Sequence, residues 1–473
     1  MSTTWYMAST ILTAMGSIWL TLSLIFVCSI VRSYKNLIFR KQKGTSSLEN
    51  ILPELEAMRG YHETADLLQH LVEFDGAGSW PPQASHGKAW PAALRPYHDI
   101  YLKLAKSLST ADVSLDTEIH SSRRFEYRAQ MRDLLHEKID LSAVEDILLA
   151  AEAGDCSVFS AKAYNGFYAC IAVSRHAFRW GTIPVVKVAQ EEKLIDFPPE
   201  LDLPWNFIQR RYNIKSQGGN VTSNYLCNFS TEGQIVYEIN SGMTESIRSA
   251  EYNFAHIFVA MEQLALPIYH NLIKSITYYE QGQREACVGC LKVIRTHLPH
   301  ALDTYRSALV DSKIPHSLWM PYVQGFQAWG AGEIIDGTDV EYDGLSGNQQ
   351  PLFHFIDAFL GIDPYLTEES LERYIHASQR NLSIALRKHS FRQRAILAGH
   401  KEIEAEMEKI KNHIRNFRAA HRARIHPYLS ISAPERMIMT AGKSVLESSA
   451  VNNLKAALSF LEAFLVKRQK ETV

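Results

Sequence analysis

Cysteine is scarce in this chain of 473 residues. Its six cysteines, Cys28, Cys156, Cys170, Cys227, Cys287 and Cys290, are too few and too scattered to staple a protein of this size. The fold must therefore rest on a hydrophobic core, and a reduced, cytosolic body is expected. No sign of charge dominates either: 49 basic residues stand against 51 acidic ones, which gives no electrostatic reason to expect nucleic acid as a partner. Internal repeats and low-complexity segments are missing as well. What is present, 46% hydrophobic and 21% charged residues, is an ordinary globular composition, long enough for one large or two moderate domains.

Charge disappears altogether from Ile11 to Val31, a run about as long as a helix needs to cross a bilayer. A cleaved signal peptide would want a basic residue ahead of the run and a shorter apolar core, and neither is present. The reading is a retained single-pass anchor over residues 11–31. Arg32, Lys35, Arg40, Lys41 and Lys43 follow it and keep the body in the cytosol by the positive-inside rule, with the endoplasmic reticulum as the expected membrane. The alternative is a buried N-terminal helix. Under the anchor reading the sequons Asn220-Val-Thr, Asn228-Phe-Ser and Asn381-Leu-Ser never meet glycosylation machinery.

The body reads as all-α. Residues 1–43 form the anchor and its basic flank, residues 44–199 a smaller, mostly helical domain, and residues 200–473 a large helical domain. Helical periodicity runs over Glu54–Phe74, Pro96–Leu108 and Arg123–Gly154, with an irregular Pro- and Gly-rich loop over Gly76–Arg95. Phe254 to Ile273 is so apolar that it belongs inside a bundle, with a kink expected at Pro267. Asp336-Gly-Thr and Tyr342 to Gln350 read as a flexible loop. Cys287, Cys290, His297 and His300 invite a zinc reading, but on a continuous helix Cys287 and His297 would stand about 15 Å apart, too far to share one ion. They are taken as structural.

The stretch from Glu402 to Pro427 carries the most information. Ile403, Met407, Ile410, Ile414 and Phe417 follow steps of four, three, four and three, one apolar stripe on a long helix that Pro427 is expected to stop. The next slot on that stripe is His421. A histidine there is either a core residue bonded to a backbone carbonyl or a metal ligand, for which a neutral imidazole on a rigid helix facing an apolar cavity suits haem iron.

Asn416-Phe-Arg-Ala-Ala-His421 resembles the proximal-histidine helix of the indoleamine 2,3-dioxygenase family. The resemblance extends through Leu203-Pro-Trp with Arg210-Arg-Tyr-Asn-Ile, Tyr225-Leu-Cys-Asn-Phe, the Asp343-Gly-Leu-Ser-Gly loop with the helix from Pro351 to Ile362, and Glu372-Arg-Tyr with Gln379-Arg-Asn-Leu. Thr440-Ala-Gly-Lys resembles its mobile loop. The likeness covers about residues 200 to 460, and the anchor lies outside it. It implies haem b held by His421, dioxygen as co-substrate, and cleavage of the C2–C3 bond of tryptophan or a related indole to an N-formylkynurenine-type product by a monomer. It also implies that Asp357 pairs with Arg418 behind the histidine, that Phe254 and Ser346 lie on the open haem face, and that Thr440 contributes to substrate binding.

The sequence departs from the family on that open face. Phe258 replaces a serine, Trp319 and Met320 replace paired phenylalanines, and Gln324 stands where the family has an arginine that clamps the substrate's carboxylate. A glutamine cannot reproduce a bidentate charged bond, so an indole without a free carboxylate is the better fit. Two alternatives remain: a haem enzyme on the same scaffold whose reaction has drifted to another oxidation or rearrangement in a secondary-metabolite pathway, and a non-catalytic haem-binding protein.

Overall fold

The computed structural model describes residues 48–111, 117–184, 192–364, 366–429, 466–467 and 469–470. The chain separates into two compact units, residues 1–53 and 54–473. The expected anchor over residues 11–31 and its basic flank lie outside the described residues. Within those residues no helix is long and apolar enough to cross a membrane.

The protein is mostly helical. In chain order the helices that matter are α1 (Glu63–His70), α2 (Arg95–Leu108), α3 (Thr117–Lys138), α4 (Leu141–Glu152), α5 (Ala161–Trp180), α6 (Pro199–Tyr212), α7 (Glu245–Gln263), α8 (Leu266–Glu280), α9 (Arg284–Ala308), α10 (Pro351–Leu360), α11 (Ala377–Lys388) and α12 (Lys401–Leu429). The expected helix over Arg123–Gly154 is two. It breaks before Asp140, whose side chain accepts from the Ala143 N–H at 3.1 Å and caps α4. The apolar run Phe254–Ile273 likewise divides instead of kinking: α7 ends at Gln263, and Pro267 stands in the first turn of α8, where its missing N–H costs nothing.

One hydrophobic core takes side chains from both sides of the boundary expected at 199/200. Trp90, Tyr97, Phe167 and Trp180 share it with Leu201, Trp205, Ile208 and Phe326. A second core gathers around α7 and is described below. α9 lies against α7, α8 and α12, and it runs unbroken through Pro299, so Cys287 and His297 stay well apart on one rod.

Glu262, near the end of α7, ties these parts together. Its fully buried carboxylate accepts from Trp80 Nε1 (2.6 Å), Tyr269 Oη (2.7 Å), Gln350 Nε2 (2.7 Å) and the Leu352 N–H (3.2 Å). Burial pushes its pKa up to about 7 against these four donors.

The segment read as a flexible loop contains the one pair of strands among the described residues. β1 (Ala331–Ile335) and β2 (Thr338–Tyr342) are antiparallel with Ile335 opposite Thr338. Asp336 and Gly337 turn the chain with φ of 49° and 76°, the left-handed pair that a two-residue Asp-Gly hairpin requires.

Pro427 does not end α12, which is helical to Leu429. A helix can lose one N–H and persist where packing holds it. Here Tyr428 is buried and donates its hydroxyl to the Ile314 carbonyl at 2.8 Å.

Candidate functional site

The stripe on α12 is buried as its spacing requires: Ile403, Met407, Ile410, Ile414 and Phe417 all face the core. His421 continues it but is only half-buried. Its ring is 5.3 Å from Tyr305 of α9 and 6.1 Å from Phe417, centroid to centroid. Burial pushes its pKa down to about 4, so the ring is neutral near pH 7 and keeps a lone pair for a ligand. Among the described residues neither ring nitrogen has a hydrogen-bond partner.

Three residues before His421, the Arg418 guanidinium donates to Asp357 Oδ2 at 2.5 Å. Asp357 is itself buried on α10 between Ile356 and Ala358. The pair expected from the resemblance is thus made, and it ties α12 to α10 one turn from the histidine. Removing one partner breaks an enclosed ion pair, a change that costs about 3–5 kcal/mol in buried pairs. Asp357→Ala and Arg418→Ala are each expected to lose stability of that order in denaturant titrations. The double variant should lose less than the two summed, and strict additivity would show that the ion pair is not what holds the helices.

The second core holds the aromatic residues. Phe254 and Phe258 stand one turn apart on α7, with rings 5.6 Å apart. Tyr225 stacks on Phe258 at 4.7 Å, Trp319 meets Phe254 edge-on at 6.0 Å, and Tyr428 meets Trp319 at 5.4 Å. Met320, Val323 and Leu345 belong to the same cluster, and Tyr305 packs against it. Tyr305 therefore links the cluster to the His421 ring. The loop carrying Ser346 reaches this cluster through Leu345, and at Gly347 a Cβ would lie 3.8 Å from Phe258 Cε1. Ser346 is buried, and its hydroxyl oxygen accepts from the Asn348 N–H at 3.3 Å and from Asn348 Nδ2 at 3.2 Å, leaving the O–H proton free to donate.

Among the described residues several buried polar atoms at this core have no partner: Trp319 Nε1, the Tyr225 and Tyr305 hydroxyls, and both amide atoms of Gln324. Gln324 is fully buried and follows Val323 of the cluster. Each such atom costs about 1–3 kcal/mol if nothing pairs with it, and folded proteins hold few of them. Several together at one aromatic core suit a site that receives a ligand with polar groups. Thr440 lies outside the described residues.

Sequence reasoning gave no role to Tyr225, Tyr305 or Tyr428. For Tyr428 a signal existed: from His421 the stripe goes on by four to Ile425 and by three to Tyr428. Tyr225 and Trp319 both stand on π-helical turns, Thr222–Leu226 and Trp319–Gln324. Such turns re-aim side chains and concentrate at functional sites, and Pro321 inside the second was the visible clue. No family model matches this chain, and no curated protein matches it either.

Proposed function

We propose that this chain is a haem-dependent dioxygenase that opens the C2–C3 bond of an indole derived from tryptophan, one whose side chain lacks a free carboxylate. The observation that carries the reading is His421, a neutral imidazole with no hydrogen-bond partner among the described residues, at the edge of an aromatic core and backed by an enclosed ion pair. That donor set fits haem b. Haem iron supplies the dioxygen chemistry that side chains lack. His421 offers the axial nitrogen, and the Arg418–Asp357 pair holds the helix that presents it, as groups behind a metal ligand commonly do. Phe254, Phe258, Trp319 and Tyr225 exclude water and provide flat faces against which an indole can lie. Ser346 retains a hydroxyl donor, and Gln324 retains a donor and an acceptor for a neutral polar tail. The anchor over residues 11–31, a cytosolic catalytic body and a monomeric state belong to the same proposal.

The test is oxygen consumption by the reduced, haem-loaded full chain with a panel of indoles: tryptophan amide, tryptamine, a tryptophan-containing cyclic dipeptide and L-tryptophan. The expected result is one dioxygen used per indole, with both atoms of isotopically labelled dioxygen retained in a ring-opened product. Haem binding without turnover of any indole would overturn the dioxygenase reading and leave the drifted or non-catalytic alternatives.

A further inference from the structure

Far from His421 in the chain, three helix ends bring together two imidazoles and a carboxylate. His62 precedes α1, Glu280 ends α8 and His389 follows α11. One nitrogen of each histidine and a carboxylate oxygen of Glu280 all lie within 4.8 Å of one another. His62 Nε2 is 3.2 Å from Glu280 Oε2, and His389 Nδ1 is 2.9 Å from Glu280 Oε1. Ligand atoms at about 2.0–2.1 Å from a tetrahedral ion stand roughly 3.3 Å apart, and each imidazole already stands at about that distance from one of the two Glu280 oxygens. The rings are 4.4 Å apart and nearly edge to face.

The surroundings orient the His389 ring for such a role. His389 Nε2 faces Glu63 Oε1 at 2.7 Å, the carboxylate behind a metal-bound imidazole that fixes its tautomer and raises its basicity. His62 Nδ1 accepts from the Thr64 N–H at 3.2 Å and lies 2.7 Å from Thr64 Oγ1, so Nε2 takes an ion when that cap bond gives way to donation from Nδ1 to Oγ1. The histidines are shielded while Glu280 keeps 30% of its side-chain surface, leaving room for water as a fourth ligand. Lys388 and Arg394 also reach these carboxylates, but at 62% and 52% exposure their long side chains can turn away to solvent.

We propose that His62, Glu280 and His389 form a divalent transition-metal site, zinc by its nitrogen and oxygen donors, which clamps the start of α1 to the ends of α8 and α11. It is separate from the dioxygenase reading and stands or falls without it. The Cys287 and Cys290 thiols play no part, because both are buried on the unbroken α9.

Zinc is titrated into the chelator-washed full chain against a chromophoric competitor, and the bound ion is then examined by absorption at the zinc edge. One zinc per chain is expected, with sub-micromolar affinity, a shell of nitrogen and oxygen that includes two imidazoles, and a higher unfolding temperature. His389→Gln should abolish this site, Glu63→Gln should weaken it about 10- to 100-fold, and Cys287→Ser with Cys290→Ser should leave it intact. Because His62 also caps α1, the His389 and Glu63 variants carry the test. Binding weaker than micromolar, a sulfur-containing shell, or affinity unchanged in His389→Gln would overturn the proposal.

Discussion

His421→Ala is expected to abolish haem binding, with loss of the Soret band from the purified full chain. The ring sits in the slot of an otherwise apolar stripe, its nitrogens have no hydrogen-bond partner among the described residues, and burial holds its pKa near 4. Among the described residues nothing else at that end of α12 offers an equivalent group. His413 lies on another face, and His426 is exposed, so His413→Ala and His426→Ala should keep the band. Added imidazole should restore absorption in His421→Ala, since truncation leaves a space of the ring's shape beside Tyr305 and Phe417. A merely packing histidine would not be rescued in this way. A normal Soret spectrum in the unsupplemented variant would remove His421 from the site.

The second large effect concerns the substrate. L-Tryptophan is expected to be turned over with kcat/KM lower by about ten- to a hundred-fold than an indole with an amide, ester or diketopiperazine tail. A charge-assisted bond to a carboxylate contributes roughly 1.5–3 kcal/mol, which a neutral amide does not match. Gln324 is fully buried with both amide atoms unpartnered among the described residues, and a carboxylate placed there would lose its hydration without gaining a charged bond from this neutral amide. A neutral tail with both a donor and an acceptor would satisfy both amide atoms at once. Phe258 and Trp319 further narrow the aromatic core. The measurement is steady-state kinetics across the panel. L-Tryptophan as the best substrate would show that Gln324 does not select the tail, and Gln324→Arg would then bring no gain for it.

Much of the helical architecture is legible locally, because a helix announces itself by spacing alone. The α12 stripe, the slot of His421 and the apolar α7 all follow from residues within a turn or two of one another. The misreadings have local causes as well. Pro267 opens a new helix where a kink was expected, Pro427 is carried by the packing of Tyr428, and Asp336-Gly337 had the composition of a tight hairpin but was read as a loop. The Asp357–Arg418 pair lay 61 residues apart in sequence and was anticipated from a resemblance, not from spacing.

By itself the sequence determined the helical class, the face of α12 that turns inward and the place of a histidine on that face, since these depend on a 3.6-residue period. Only the tertiary structure decided which rings gather around Phe254, that Gln324 is buried, that Glu262 collects four donors, and that His62 and His389 meet at Glu280 across 218 and 109 residues. The physical reason is that such contacts depend on how helices cross and where π-helical turns shift the register, and neither leaves a periodic trace in the chain.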